Sequence, residues 1–203
     1  MPNWCYTSYK ISGSRKAVKD LHERIMKLDR GEGEMLENGY GNLWLGNLVN
    51  DLGGDWNKIY CRGRILPDYI TYDKDLVLLE FETETAWAAM TETFDFIKAY
   101  YEKQNEEICI SYREEECGNC IYCIHNEGEF TFNEEYCVDY CHENDGGIEY
   151  YTDFIGVIAD FEDLYGIKVP RHLSVKDSIK FMEDYAQNQG EDEYYYIHEF
   201  DYI

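Results

Sequence analysis

The chain has 203 residues, 44% of them hydrophobic, with 20 tyrosines, nine phenylalanines and a formal charge of −24. So many large side chains exclude a disordered polymer, and no apolar run approaches the ~20 residues that span a bilayer. The charge opposes direct binding of DNA or RNA, whose phosphates it repels.

Trp4 to Ile11 is rich in aromatic and β-branched residues and reads as a strand, broken by Ser12-Gly13-Ser14. Val18, Leu21, Ile25 and Leu28 follow at helical spacing, ending near Gly31. A loop covers Gly31 to Gly41, and a short helix is expected from Asn42 to Leu52, stopped by Gly53-Gly54. Lys58 to Ile65 and Leu76 to Phe81 read as strands. Thr83 or Thr85 is expected to cap a helix whose face is Trp87, Met90, Phe94, Ile97 and Tyr101. Trp4 and Trp87 suit core positions at element starts. Ile108 to Tyr112 is a further strand, and Ile121–His125, Phe130–Phe132 and Tyr136–Tyr140 read as short hairpin strands.

Thr152 can cap a helix carrying Phe154, Ile158, Phe161 and Leu164, ended by Gly166 and Pro170. Ser174-Val175-Lys176-Asp177 resembles a capping box opening the last helix, and Tyr194 to Ile203 alternates as a final strand. The order strand, helix, strand, strand, helix, strand is that of a ferredoxin-like α+β sandwich, two helices covering one face of an antiparallel sheet. The expected division is a core over 1–140 with a helical insertion near 42–54, and an acidic extension over 141–203 packed on it.

The opening Met1-Pro2-Asn3-Trp4-Cys5, then Leu45-Gly46-Asn47-Leu48, Cys61-Arg62-Gly63, Thr83-Glu84-Thr85-Ala86-Trp87 and Glu114-Glu115-Glu116 resemble, in the same order, the YubB-type ferredoxin-like proteins of plasmids, phages and gut bacteria. The resemblance implies the fold and a mobile-element setting, not a reaction. This chain departs from the family in having Ala88-Ala89-Met90 after the tryptophan and Cys117-Gly118 after the glutamates.

Charge is unevenly placed. Residues 1–113 hold 14 Lys and Arg against 19 Asp and Glu, whereas 114–203 hold 4 against 23. An acidic surface favours a basic protein partner, and carboxylates at phosphate-like density suggest a nucleic-acid mimic. Glu114, Glu115 and Glu116, read as a solvated strand end, and Tyr136, Tyr140, Tyr150 and Tyr151 are the expected protein-binding residues, the tyrosines serving as anchors.

The start of the chain lacks the order of a signal peptide, so a cytoplasmic protein with reduced cysteines is expected. Among its eight cysteines, Cys117 and Cys120, joined by Cys137 and Cys141 or His142, have spacings that a structural zinc ion tolerates. That pattern supports the alternative of a metal-dependent or small-molecule module, or a small enzyme. No phosphate-cradling glycine loop, nucleophile elbow or triad spacing is present, so the leading expectation is a non-catalytic binding or regulatory protein.

Overall fold

The computed structural model describes residues 3–203. Alternation in β1 (Trp4–Gly13) turns Cys5, Thr7, Tyr9 and Ile11 inward. Ser14 then caps α1 (Arg15–Asp29), its side chain accepting the Ala17 N–H at 3.3 Å. Ala17, Val18, Leu21, Ile25 and Leu28 form the buried stripe of that helix. A loop leads to α2 (Leu45–Asp51) and then to β2 (Gly63–Asp73) and β3 (Leu78–Ala86). After α3 (Thr91–Glu102) come β4 (Ile108–Glu116) and β5 (Ile121–His125). The remaining elements are β6 (Tyr136–His142), β7 (Asp145–Tyr151), α4 (Phe154–Tyr165), α5 (Val175–Gln187), β8 (Tyr194–Glu199) and β9 (Asp201–Tyr202).

These make an α+β protein of five helices and two sheets among the described residues. One sheet has the order β2-β3-β1-β4-β5-β9, with antiparallel pairing of β2 to β3, β3 to β1, β1 to β4 and β4 to β5. The buried faces of α1 and α3 share one cluster with Tyr9, Ile11, Leu79, Phe81 and Ile110. The other sheet, β7-β6-β8, packs Tyr136, Val138, Tyr195 and Ile197 against Val157, Phe161, Met182 and Ala186 of α4 and α5. Among the described residues, no helix is long and apolar enough to cross a membrane.

The chain divides into a first unit, residues 1–132 with 202–203, and a second, 133–201. The expected boundary at 140 falls inside β6, whose partners β7 and β8 both belong to the second unit. Other differences follow from local chemistry. Thr83 and Thr85 are buried strand residues of β3, not helix caps, because alternation with Glu82 and Glu84 fits a sheet with one covered face. Trp87 precedes α3 rather than opening it. The strand expected at 58–65 begins only at Gly63 and continues to Asp73, with a register break between Leu66 and Thr71, where Pro67 cannot donate to a ladder. Residues 130–132 form no strand, and β7 was not anticipated because its Gly146-Gly147 and exposed side chains carry no apolar alternation. Asp153, not Thr152, caps α4, whereas Ser174 caps α5 as its sequence indicates.

Candidate functional site

The three glutamates expected in solvent are buried: Glu114 is 8% exposed, Glu115 7% and Glu116 1%. Cross-strand register explains their different roles. Glu114 lies opposite Thr7 on the helix-covered face of the sheet, and Glu115 opposite Tyr6 on the other face. Glu114 accepts the Ala89 N–H at 2.7 Å, with the Cys5 thiol 4.0 Å away. Glu115 is 3.3 Å from Arg113, two residues back on its own face. Glu116 accepts the N–H groups of Gly118 at 2.9 Å and Asn119 at 2.7 Å, so it fixes the β4–β5 turn from within. The run is built into the first unit and does not form a solvated strand end.

Burial also pushes the Glu114 carboxyl above its ordinary value, against the Ala89 N–H and Cys123, which pull it down. The folded state therefore favours the protonated acid. Its stabilising contribution is complete below the ordinary carboxylate value and is lost as pH rises through the raised one. Glu114→Gln is neutral at every pH and should lack this loss. Urea unfolding at about pH 4 and about pH 8 is expected to show the variant gaining on the parent at the higher pH. Parallel pH profiles would contradict the assignment.

The expected tyrosine anchors also turn inward, with one exception. Tyr136 is 7% exposed, and Tyr140 and Tyr151 pack beside it against the helix-side cluster of the second unit. Tyr150, across from Cys137 on the opposite face of β7, is 36% exposed. Alternation along two paired strands sends these residues to different faces, which proximity in sequence did not reveal.

Cys117 and Cys120 are exposed in the β4–β5 turn of the first unit, and Cys137 and Cys141 lie on one face of β6 in the second. His142 takes the opposite face and pairs with Glu193 at 2.8 Å. Among the described residues, no three His, Cys, Asp or Glu side chains are grouped as metal ligands would be. Burial pushes the Cys5 thiol up to about 12 and the Cys61 thiol up to about 11, so neither is a ready thiolate.

The most distinctive site was not singled out in the sequence. A groove of about 540 Å³ in the first unit is walled by Tyr40, Trp44, Trp56, Tyr60 and Arg62, with Glu92 at its side. Trp44 is fixed by its indole N–H, which donates to the Cys61 carbonyl at 2.8 Å, and by edge contact with Trp56 at 5.4 Å. The Tyr40 ring lies nearly parallel to Trp44, 6.5 Å away, and meets Trp4 edge-on at the same distance. The Tyr60 N–H donates to Glu92 at 3.0 Å, and its carbonyl accepts from Thr93 at 2.8 Å. Thus α3 holds the groove's outer wall. The Tyr40 hydroxyl, and then Tyr60, keep the Arg62 guanidinium above its ordinary value by hydrogen bonding and charge.

The ends of β1 and β3 lie beside the groove. The Ala86 N–H donates to the Arg62 carbonyl at 2.9 Å, Trp4 lies opposite Ala86, and Trp87 follows with φ of +77°. A bulky side chain at positive φ is strained, and such strain is concentrated at functional sites. Trp4 is 39% exposed, Trp87 43% and Tyr60 44%. All four tryptophans of the chain therefore gather at this end of the sheet. Their restriction to positions 4 to 87 was the available sequence signal, but each alone reads as a packing residue. Family models, curated proteins and solved structures give no match to this chain.

Proposed function

We propose that the protein is a non-catalytic binding module that uses the Trp44–Trp56–Tyr60–Arg62 groove to take a basic segment of a protein partner. The carrying observation is the composition and exposure of that groove. Tryptophan, tyrosine and arginine in concave, partly desolvated positions dominate protein-recognition energetics, and here they are fixed by backbone contacts rather than left mobile. The surrounding charge selects the partner. A chain of net −24 raises the local concentration of basic segments and rejects acidic ones, and aromatic faces attract Lys and Arg side chains.

The second unit carries the same sign of charge, holding 18 Asp and Glu against 4 Lys and Arg over residues 133–201. Of those four, Lys168 and Arg171 both pair with Glu162, at 2.7 and 2.8 Å. Nucleic-acid mimicry finds less support than groove recognition, because Tyr136, Tyr140 and Tyr151 are committed to the core. The order β2-β3-β1-β4, with α1 and α3 as the crossovers, supports a ferredoxin-like sandwich of YubB type within this proposal.

Because all four tryptophans lie at the groove end, their fluorescence reports its occupancy. Titration with an Arg/Lys-rich peptide containing one aromatic residue is expected to change the emission, while a Glu-rich peptide does not. Tyr60→Ala should weaken the interaction about tenfold or more, and added salt should weaken it further. An unchanged emission with the basic peptide, or an unaltered response in Tyr60→Ala, would reject the proposal.

A further inference from the structure

We propose that a second cavity in the first unit, between α3 and the β4–β5 strands, binds a planar aromatic cation. The cavity follows from the architecture. The sheet extends through β5 and β9 beyond the strands that α1 and α3 cover, and α3 meets it by stacking Phe94 on Tyr9 of β1 at 3.9 Å. Tyr112 of β4 and His125 of β5, opposite one another in register, lie beside that contact with their rings 5.3 Å apart. The space has a volume of about 260 Å³, close to the smallest pockets that hold organic ligands.

Its chemistry specifies the ligand. The half-buried rings of Tyr112 and His125, beside the buried Tyr9–Phe94 stack, supply aromatic surface that suits a flat molecule. Residues 91, 94, 95 and 98 recur at helical spacing and form the α3 wall, placing Asp95 and Lys98 at the cavity. Lys98 is already paired with Glu127, whose other oxygen accepts the Ile110 N–H at 3.0 Å. Among the described residues, Asp95 has no hydrogen-bond or ion-pair partner in the structure. The cavity therefore presents one unpaired carboxylate, that of Asp95, beside aromatic faces. A planar ring carrying an amidinium-type group satisfies both, its face stacking and its N–H edge donating to the carboxylate. This assignment is independent of the tryptophan groove.

The test is isothermal titration calorimetry with benzamidinium, benzamide and benzoate, accompanied by NMR of the His125 ring. Benzamidinium is expected to bind with Kd of about 1 mM or tighter, to shift the His125 resonances, and to outcompete both other probes. Asp95 is exposed on a helix, so Asp95→Asn should fold normally and bind benzamidinium about fivefold more weakly or worse. Asp68→Asn, removing an exposed carboxylate of β2, should leave binding unchanged and so separates a local site from general attraction to an acidic protein. Absence of benzamidinium binding, equal binding of benzoate, unshifted His125 resonances, or equal losses in the two variants would overturn the proposal.

Discussion

Phe161→Ala is expected to destabilise the second unit by about 3–5 kcal/mol, the range for removing a fully buried aromatic side chain. Phe161 is 0% exposed and sits amid rings, 4.7 Å from Tyr165, 5.1 Å from Tyr195 and 5.9 Å from Tyr185. Truncation leaves a void that rigid neighbours fill poorly, because the Tyr195 hydroxyl is held by Asp160 at 2.8 Å. A unit of some 70 residues has little stability in reserve, as the scaling of buried surface with size dictates. Phe181→Ala, at a half-buried position on α5, should cost much less. Urea unfolding followed by near-ultraviolet circular dichroism measures both, and a Phe161→Ala loss below about 1 kcal/mol would contradict the described core.

Gly13→Ala is the second large effect, expected at about 2–5 kcal/mol from strain and overlap together. Gly13 ends β1 at φ of +134°, and an added Cβ would stand 2.3 Å from the Glu107 carbonyl oxygen. That same oxygen accepts the Ser14 N–H at 2.9 Å, so movement to relieve the clash would disturb the residue that caps α1. Gly53 provides the control. Its φ of +78° also favours glycine, but an added Cβ would meet nothing within 4 Å. Gly53→Ala should therefore cost only about 1 kcal/mol. Equal costs at the two positions, compared by chemical denaturation, would show that the close approach to Glu107 contributes nothing.

The contrast between these glycines also indicates what was legible in the sequence. Ser12-Gly13-Ser14 was readable as a break because strand alternation stops there and helical spacing begins immediately after it. The stripes Val18–Leu28 and Ile97–Tyr101 were readable for the same reason, each carrying its signal within a few turns. The elements around Trp87 were not. Thr83 and Thr85 serve equally well as caps or strand residues, and only pairing with β1, some 80 positions away, decides between them. The candidate sites were less legible still. Burial of Glu114 to Glu116 depends on β1 and β5 flanking β4, whereas local charge alone suggested a solvated end. Likewise, the groove joins residues 40, 44, 56, 60 and 62 through tertiary contacts that no spacing rule anticipates.

The break between Leu66 and Thr71 has a consequence for association. An exposed sheet edge is a template on which a foreign strand can add its own ladder of backbone hydrogen bonds. At one edge of the larger sheet, β2 interrupts its register and places Pro67 and exposed Asp68 there, while β9 at the other edge is only two residues long. Neither border offers the long, regular run of donors and acceptors that strand addition or edge-to-edge aggregation requires. Any partner of this unit is therefore recognised through side chains rather than by strand addition at the borders of this sheet.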